Sequence, residues 1–150
     1  MALAATVLNP GKHAATDEIN PTRKKALEFT EQSLRLAPHS SDVWLTLASL
    51  HNLDTNQPRA PVEALKMSYL TSPADAALIP TRLAILSASA AIGDVELQDL
   101  ARGDIRLILT RRPDLKSSIL GAYQRASADG KAYIRQAVLA IDPQFASALR

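Results

Sequence analysis

From about residue 21 onward the apolar positions fall at steps of three and four residues and keep that spacing to the end of the chain. This is the periodicity of helices with one buried face. β-branched and aromatic residues are sparse and no alternating run exceeds a few residues, so strands are not expected. The spacing predicts a first helix from about Thr22 to Ala37, with Leu27, Thr30, Leu34 and Ala37 in line and Phe29 and Leu36 widening the buried stripe. Arg23, Lys24 and Lys25 would crowd its first turn, the unfavourable end of the helix dipole. Pro38 stops it.

Ser40 or Ser41 caps a second helix with Asp42 in its first turn and Val43, Trp44, Leu47, Ala48, Leu50 and His51 facing inward. After the loop Asp54-Thr55-Asn56-Gln57-Pro58, Pro61 opens a third helix carrying Val62, Leu65, Tyr69 and Leu70. A fourth is expected over about Pro80 to Ile92, ended by Gly93-Asp94. Leu97, Leu100, Ala101, Ile105, Ile108 and Leu109 give the cleanest stripe and a fifth. Leu115, Ile119, Ala122, Tyr123 and Ala126 make a sixth, with Asp129-Gly130 as the turn after it. Ile134, Ala137, Val138 and Ile141 make a seventh, and Gln144 to Arg150 a short eighth. Residues 1–20, punctuated by Asn9-Pro10-Gly11 and Asn20-Pro21, read as an N-terminal tail, partly ordered or docked, before a single helical domain over 21–150.

The helices recur in pairs. Ser33–Pro38, Ser68–Pro73, Ile108–Pro113 and Val138–Pro143 each close a helix at a proline, and these prolines are 35, 40 and 30 residues apart. A period near 34 marks the tetratricopeptide (TPR) helical hairpin. Trp44, Leu47 and Ala48 match the first helix of that pattern, with His51 where Tyr is usual; Ala60 and Ala64 fall at the Ala and Phe offsets, and Pro73 arrives one residue late. Upstream, Ala26, Ser33 and Pro38 keep the spacing of a second helix. Residues 22–73 therefore resemble one and a half TPR repeats, whereas 74–150 resemble the family only in period and proline stop. The resemblance implies an all-α fold: a right-handed superhelix of antiparallel helix pairs, a TPR-like α-solenoid of about seven to eight helices. Trp44 would fill the wedge between helices, and its removal would cost about 3–5 kcal/mol if fully buried.

A TPR-like fold implies a protein-binding, scaffold-type module whose groove is lined by the first helix of each pair, here Asp42, Leu45, Ser49 and Asn52. Leu45 and Ser49 do not match the Lys and Asn with which some TPR families grip a C-terminal carboxylate. That face is either simply solvated, covered by the tail, or a peptide site of another kind. Segments such as Arg111-Arg112-Pro113-Asp114 and Ile141-Asp142-Pro143 are similar to short, Ala-rich TPR-like proteins of alphaproteobacteria, some associated with cell-envelope or exopolysaccharide systems. The resemblance thus implies a bacterial accessory of such a system.

Composition narrows the chemistry. The 150 residues hold no cysteine, which excludes disulfides, thiolate zinc sites and a cysteine nucleophile. His13, His39 and His51 are scattered, without the spacing of a metal site. Five glycines leave no phosphate-cradling loop, and neither a G-x-S-x-G nor a dinucleotide fingerprint occurs. No catalytic residue, metal or cofactor is expected. Asp94, Glu96 and Asp99 read as first-turn acids of a helix. The net charge is +2, but the three successive fifties carry about 0, −3 and +5. Arg102, Arg106, Arg111, Arg112 and Lys116, joined by Arg125, Lys131 and Arg135, form a basic group. An alternative reading is therefore a basic polyanion-binding helical module using the C-terminal third, although nucleic acid would bring more aromatics. Ala146 and Leu149 suggest an uncapped apolar end through which a homodimer would form. No run is long and apolar enough to span a membrane. Met1 to Leu8 read as a frayed N-terminus or as the remnant of a removed signal, so the compartment stands as cytoplasmic or, in the second case, periplasmic.

Overall fold

The computed structural model of the chain describes residues 10–54 and 56–150, with side chains from residue 21 onward. Among the described residues it is all-helical, with no strand and eight α-helices: α1 (Pro10–Leu36), α2 (Ser41–Asn52), α3 (Ala60–Thr71), α4 (Ile79–Ala88), α5 (Val95–Arg111), α6 (Lys116–Arg125), α7 (Ala128–Leu139) and α8 (Pro143–Ala146). Short 3-10 turns at Ala76–Leu78, Ala90–Gly93 and Pro113–Leu115 lead into or out of them. Pro38, Pro73, Pro113 and Pro143 follow α1, α3, α5 and α7 within a few residues, where the lack of an N–H and the clash of the ring prevent continuation.

Several boundaries differ from the pattern reading. Residues 1–9 of the expected tail lie outside the described residues, and from Pro10 the backbone is already helical, with Pro21 inside α1. Arg23, Lys24 and Lys25 are therefore mid-helix and face no dipole penalty. Arg23 donates instead to the Leu53 carbonyl (3.2 Å) at the end of α2. The expected fourth helix breaks at Ser89, whose extended backbone and side-chain bond to the Ala91 N–H start a separate turn. Asp129 and Gly130 belong to the first turn of α7 rather than to a loop, because Ser127 caps that helix by accepting from the Gly130 N–H (3.1 Å).

The core runs through all the helices from α1 to the end of the chain. Leu97, Ala101, Ile105 and Ile108 of α5 are fully buried, as the stripe predicts. By contrast Phe29 and Leu36 are 72% and 89% exposed, because α1 packs on α2 and only its Thr30–Leu34 side is covered. Trp44 is half-buried, its indole N–H donating to the Pro38 carbonyl (2.8 Å). Ala146 and Leu149, expected to form an open apolar end, are buried: Asp142 caps α8 through the Phe145 N–H, and α8 folds back onto α7. The basis for pairing two copies there is thereby removed.

Helices α2 and α3 make the tightest pair, α2 also packs on α4 and α4 on α6, while α3 packs on α5 and α5 on α7. Helix α4 is the hub, touching α2, α5, α6 and α7. Its residues Ile79, Arg82, Leu83, Ile85, Leu86 and Ser87 are buried. Helices α4 and α7 meet backbone to backbone: a Cβ at Gly130 would lie 2.0 Å from the Ser87 carbonyl oxygen. That same carbonyl accepts from the Ser127 backbone N–H (3.0 Å) and hydroxyl (3.2 Å).

Candidate functional site

Two arrangements carry polar chemistry, one sealed and one open. The sealed one centres on Arg82 of α4, which is 0% exposed. Its Nη2 donates to the Ser68 and Ser72 carbonyls (2.6 and 2.9 Å) and to the Ser41 hydroxyl (3.0 Å), and its Nε to the Ser68 hydroxyl (3.1 Å). The guanidinium lies 4.3 Å from the centre of the Tyr69 ring, a cation–π contact strengthened by desolvation. The Tyr69 hydroxyl in turn donates to Asp104 of α5 (2.6 Å), itself 5% exposed. Burial pushes the Asp104 carboxyl up to about 6, against the Tyr69 hydrogen bond and the Arg82 charge, which pull it down. Burial likewise raises the Tyr69 phenol and lowers Arg82. Perturbed acids and bases are common at active sites, but so are structural ion networks. Here the groups are buried and none of the chain's main hollows is lined by them. The network therefore acts as a clamp joining α2, α3, α4 and α5.

Periodicity missed Arg82 because one arginine in an Ala- and Leu-rich stretch resembles a surface residue. The available signal was Ile79, Leu83, Ile85 and Leu86, which make α4 apolar on most sides and leave little surface for any residue on it.

The residues expected to line a groove share one side of α2 but are unequally open to solvent. Asp42 is exposed, Ser49 turns its hydroxyl back to the Leu45 carbonyl (3.0 Å), and Asn52 sits at the end of α2. Leu45 is 4% exposed and belongs to the core, so it is closed to a partner in this conformation. The reason is the contact of α2 with both α3 and α4, which covers a wider arc than one hairpin needs.

The basic group is largely answered within the chain. Arg102 pairs with Asp99 (2.7 Å), Arg112 grips Asp114 with two hydrogen bonds (3.0 and 2.8 Å), and Lys116 reaches Asp142 (3.6 Å) and the Phe145 ring. Lys131 and Arg135 lie over the Tyr123 ring, and Arg135 donates to its hydroxyl. Arg106 and Arg111 make no ion pair among the described residues. Of the acids, Asp94 caps α5 by accepting from the Leu97 N–H (3.0 Å), which holds its carboxyl below the usual range. Asp94 and Glu96 together hold Lys66 of α3 at 3.1 and 2.9 Å. Among the described residues no three His, Asp or Glu converge as a metal site requires.

The open arrangement is a furrow of about 640 Å³ between the Ser89 turn and α7, where Gln98, Tyr133 and Gln136 line it. A second hollow, at His51 and Asn52, shares its Ala88, Ser89 and Ala90 edge. A third shares Tyr133 and Gln136 with the furrow, and Arg102 with a fourth hollow on α5 that includes Gly103 and Arg106. One expected groove residue and two expected basic residues thus line neighbouring hollows, a grouping that neither expectation described. Burial pushes the Tyr133 phenol up to about 12, so it stays a donor, bonded to the Gln98 carbonyl.

No family model matches the chain, and neither a curated protein nor a solved structure matches it. No described helix is long and apolar enough to cross a membrane.

Proposed function

We propose that this chain is a non-enzymatic, TPR-like protein-binding module that takes an extended segment of a partner along the furrow. The observation that carries the reading is the furrow and the hollows that share its edges, which lie on α2, α4, α5 and α7 and are lined by amide, hydroxyl and guanidinium groups able to bond a peptide main chain. The repeat reading draws on the stacking of alternate helices, α2 on α4 on α6 and α3 on α5 on α7, and on the proline after each odd-numbered helix from α1 to α7. In a right-handed superhelix of antiparallel pairs each helix meets its counterpart in the next pair in this way. The α4–α7 contact departs from it and makes a closed variant of the solenoid. A role as accessory of a bacterial cell-envelope or exopolysaccharide system rests on the sequence resemblance alone. The polyanion alternative loses two of its five cations, Arg112 and Lys116, to Asp114 and Asp142.

The test is selection of a displayed random-peptide library on the full chain. Peptides are expected whose binding is lost in Gln136→Trp, which fills the neck of the furrow from an exposed α7 position. Recovery of no peptide, or of peptides indifferent to that bulk, refutes the reading.

A further inference from the structure

Two glycines stand inside helices in opposite circumstances. Gly130 is compelled by the Ser87 backbone against it. Gly103, in the middle of α5, is exposed, has no positive φ, and a Cβ there would meet nothing within 4 Å. Glycine in a helix interior is destabilising relative to alanine, and nothing within the described chain requires it here. It lies in an open hollow of about 230 Å³ bounded by Asp99, Arg102 and Arg106. Residues 99, 102, 103 and 106 share one helix face by their three- and four-residue spacing. Arg106 has no ionic partner among the described residues, and Arg102 is held only by exposed Asp99 three residues earlier, a pair of little strength in water.

We propose that Gly103 is where the main chain of an acidic segment of a partner protein lies directly on α5, its carboxylates taken by Arg102 and Arg106. The inference rests on the reading of the chain as a protein-binding module. A bare helix backbone permits an approach that any side chain would block. Two guanidinium forks one turn apart suit carboxylates, which they bind bidentately. Arg102 also lines the neighbouring hollow of Tyr133 and Gln136, which shares those two residues with the furrow. A nucleic acid fits less well: it asks for stacking surfaces and a broad field, whereas Tyr133 is the aromatic lining these hollows and Arg112 is occupied by Asp114.

The experiment takes the peptides selected from the random library and measures their affinity for the parent, Gly103→Ala, Arg102→Ala/Arg106→Ala and Gln136→Trp forms, with urea unfolding of each. The expected peptides are rich in Asp and Glu. The double arginine variant weakens them about tenfold or more, as the loss of charge-assisted hydrogen bonds implies. Gly103→Ala unfolds at higher urea than the parent yet binds more weakly, a pairing of gains and losses that a merely structural glycine would not show. If peptides bind Gly103→Ala as tightly as the parent, or the selected set is not acidic, while Gln136→Trp still abolishes binding, the seat is wrong and the module reading stands. If no peptide is retained, both fall. If a labelled single-stranded oligonucleotide binds in an Arg106-dependent way and acidic peptides do not, the partner class is wrong.

Discussion

Replacing Gly130 by alanine tests the join between α4 and α7 directly. In an unconstrained helix the change would stabilise by about 1 kcal/mol. Here the new Cβ would fall 2.0 Å from the Ser87 oxygen, 2.8 Å from its carbonyl carbon and 3.0 Å from its Cα. An ordinary carbon–oxygen contact is about 3.3 Å, so the start of α7 must retreat by roughly 1.3 Å. The obstacle is backbone on both sides, with no rotamer to absorb the shift. The retreat stretches both hydrogen bonds from Ser127 to Ser87 (3.0 and 3.2 Å), each worth about 1 kcal/mol. Overpacking adds about 1–3 kcal/mol. Set against the gain in helix propensity, the net loss is about 1–4 kcal/mol. Urea unfolding followed by far-UV circular dichroism reads this as a midpoint lowered by about 1 M, given a slope of about 1–3 kcal/mol per M. A Gly130→Ala protein as stable as the parent would show that α4 and α7 do not approach this closely.

Asp104 binds its proton more tightly folded, at about 6, than its ordinary value of 3.8. The stability it contributes is complete below about pH 4 and lost as pH rises through 6. Urea midpoints between pH 4 and 7 should therefore fall more steeply for the parent than for Asp104→Asn, and parallel curves would contradict the burial of that carboxyl. Arg82→Met should cost about 1–3 kcal/mol, because it removes the donor to the Ser72 carbonyl and to the Ser41 and Ser68 hydroxyls. Arg82→Lys should recover little of this in the same unfolding assay, since an ammonium lacks the planar fork. Trp44→Ala should cost about 1–3 kcal/mol, below the range for a fully buried tryptophan, because its ring is only partly buried; a thermal melt giving a larger loss would place the indole deeper.

The helices of this chain are legible wherever one face is buried and one is wet. Leu97, Ala101, Ile105 and Ile108 sit where their spacing puts them, and each proline stop is a local effect of ring and missing N–H. The pattern fails where the environment is not two-sided. Helix α4 is covered on most sides, so Arg82 and Ser87 are buried with its leucines and spacing alone could not say so. Helix α1 has the reverse problem: Phe29 and Leu36 are apolar but have no neighbour to cover them. The furrow was half-legible. Asn52, Arg102 and Arg106 stand out in the sequence for separate reasons, and only the way α4, α5 and α7 meet places them at neighbouring hollows. The polar contacts of Ser41, Ser68 and Arg82 span 14 to 41 residues, a separation at which neither periodicity nor motif spacing carries information.

The clasp between Ser87 and Gly130 also bears on how the chain is made. A ribosome that has released the chain only as far as Pro113 has delivered α4 without α6 or α7, the two helices that close over it. The face of α4 that these two helices cover then waits in water until α7 is complete at Leu139, about 26 residues later. An open stack of repeats would settle pair by pair as it is translated. Here the cover of α4 is completed only when α7 arrives, so the nascent chain leaves apolar surface open for longer than a stack of independent pairs would.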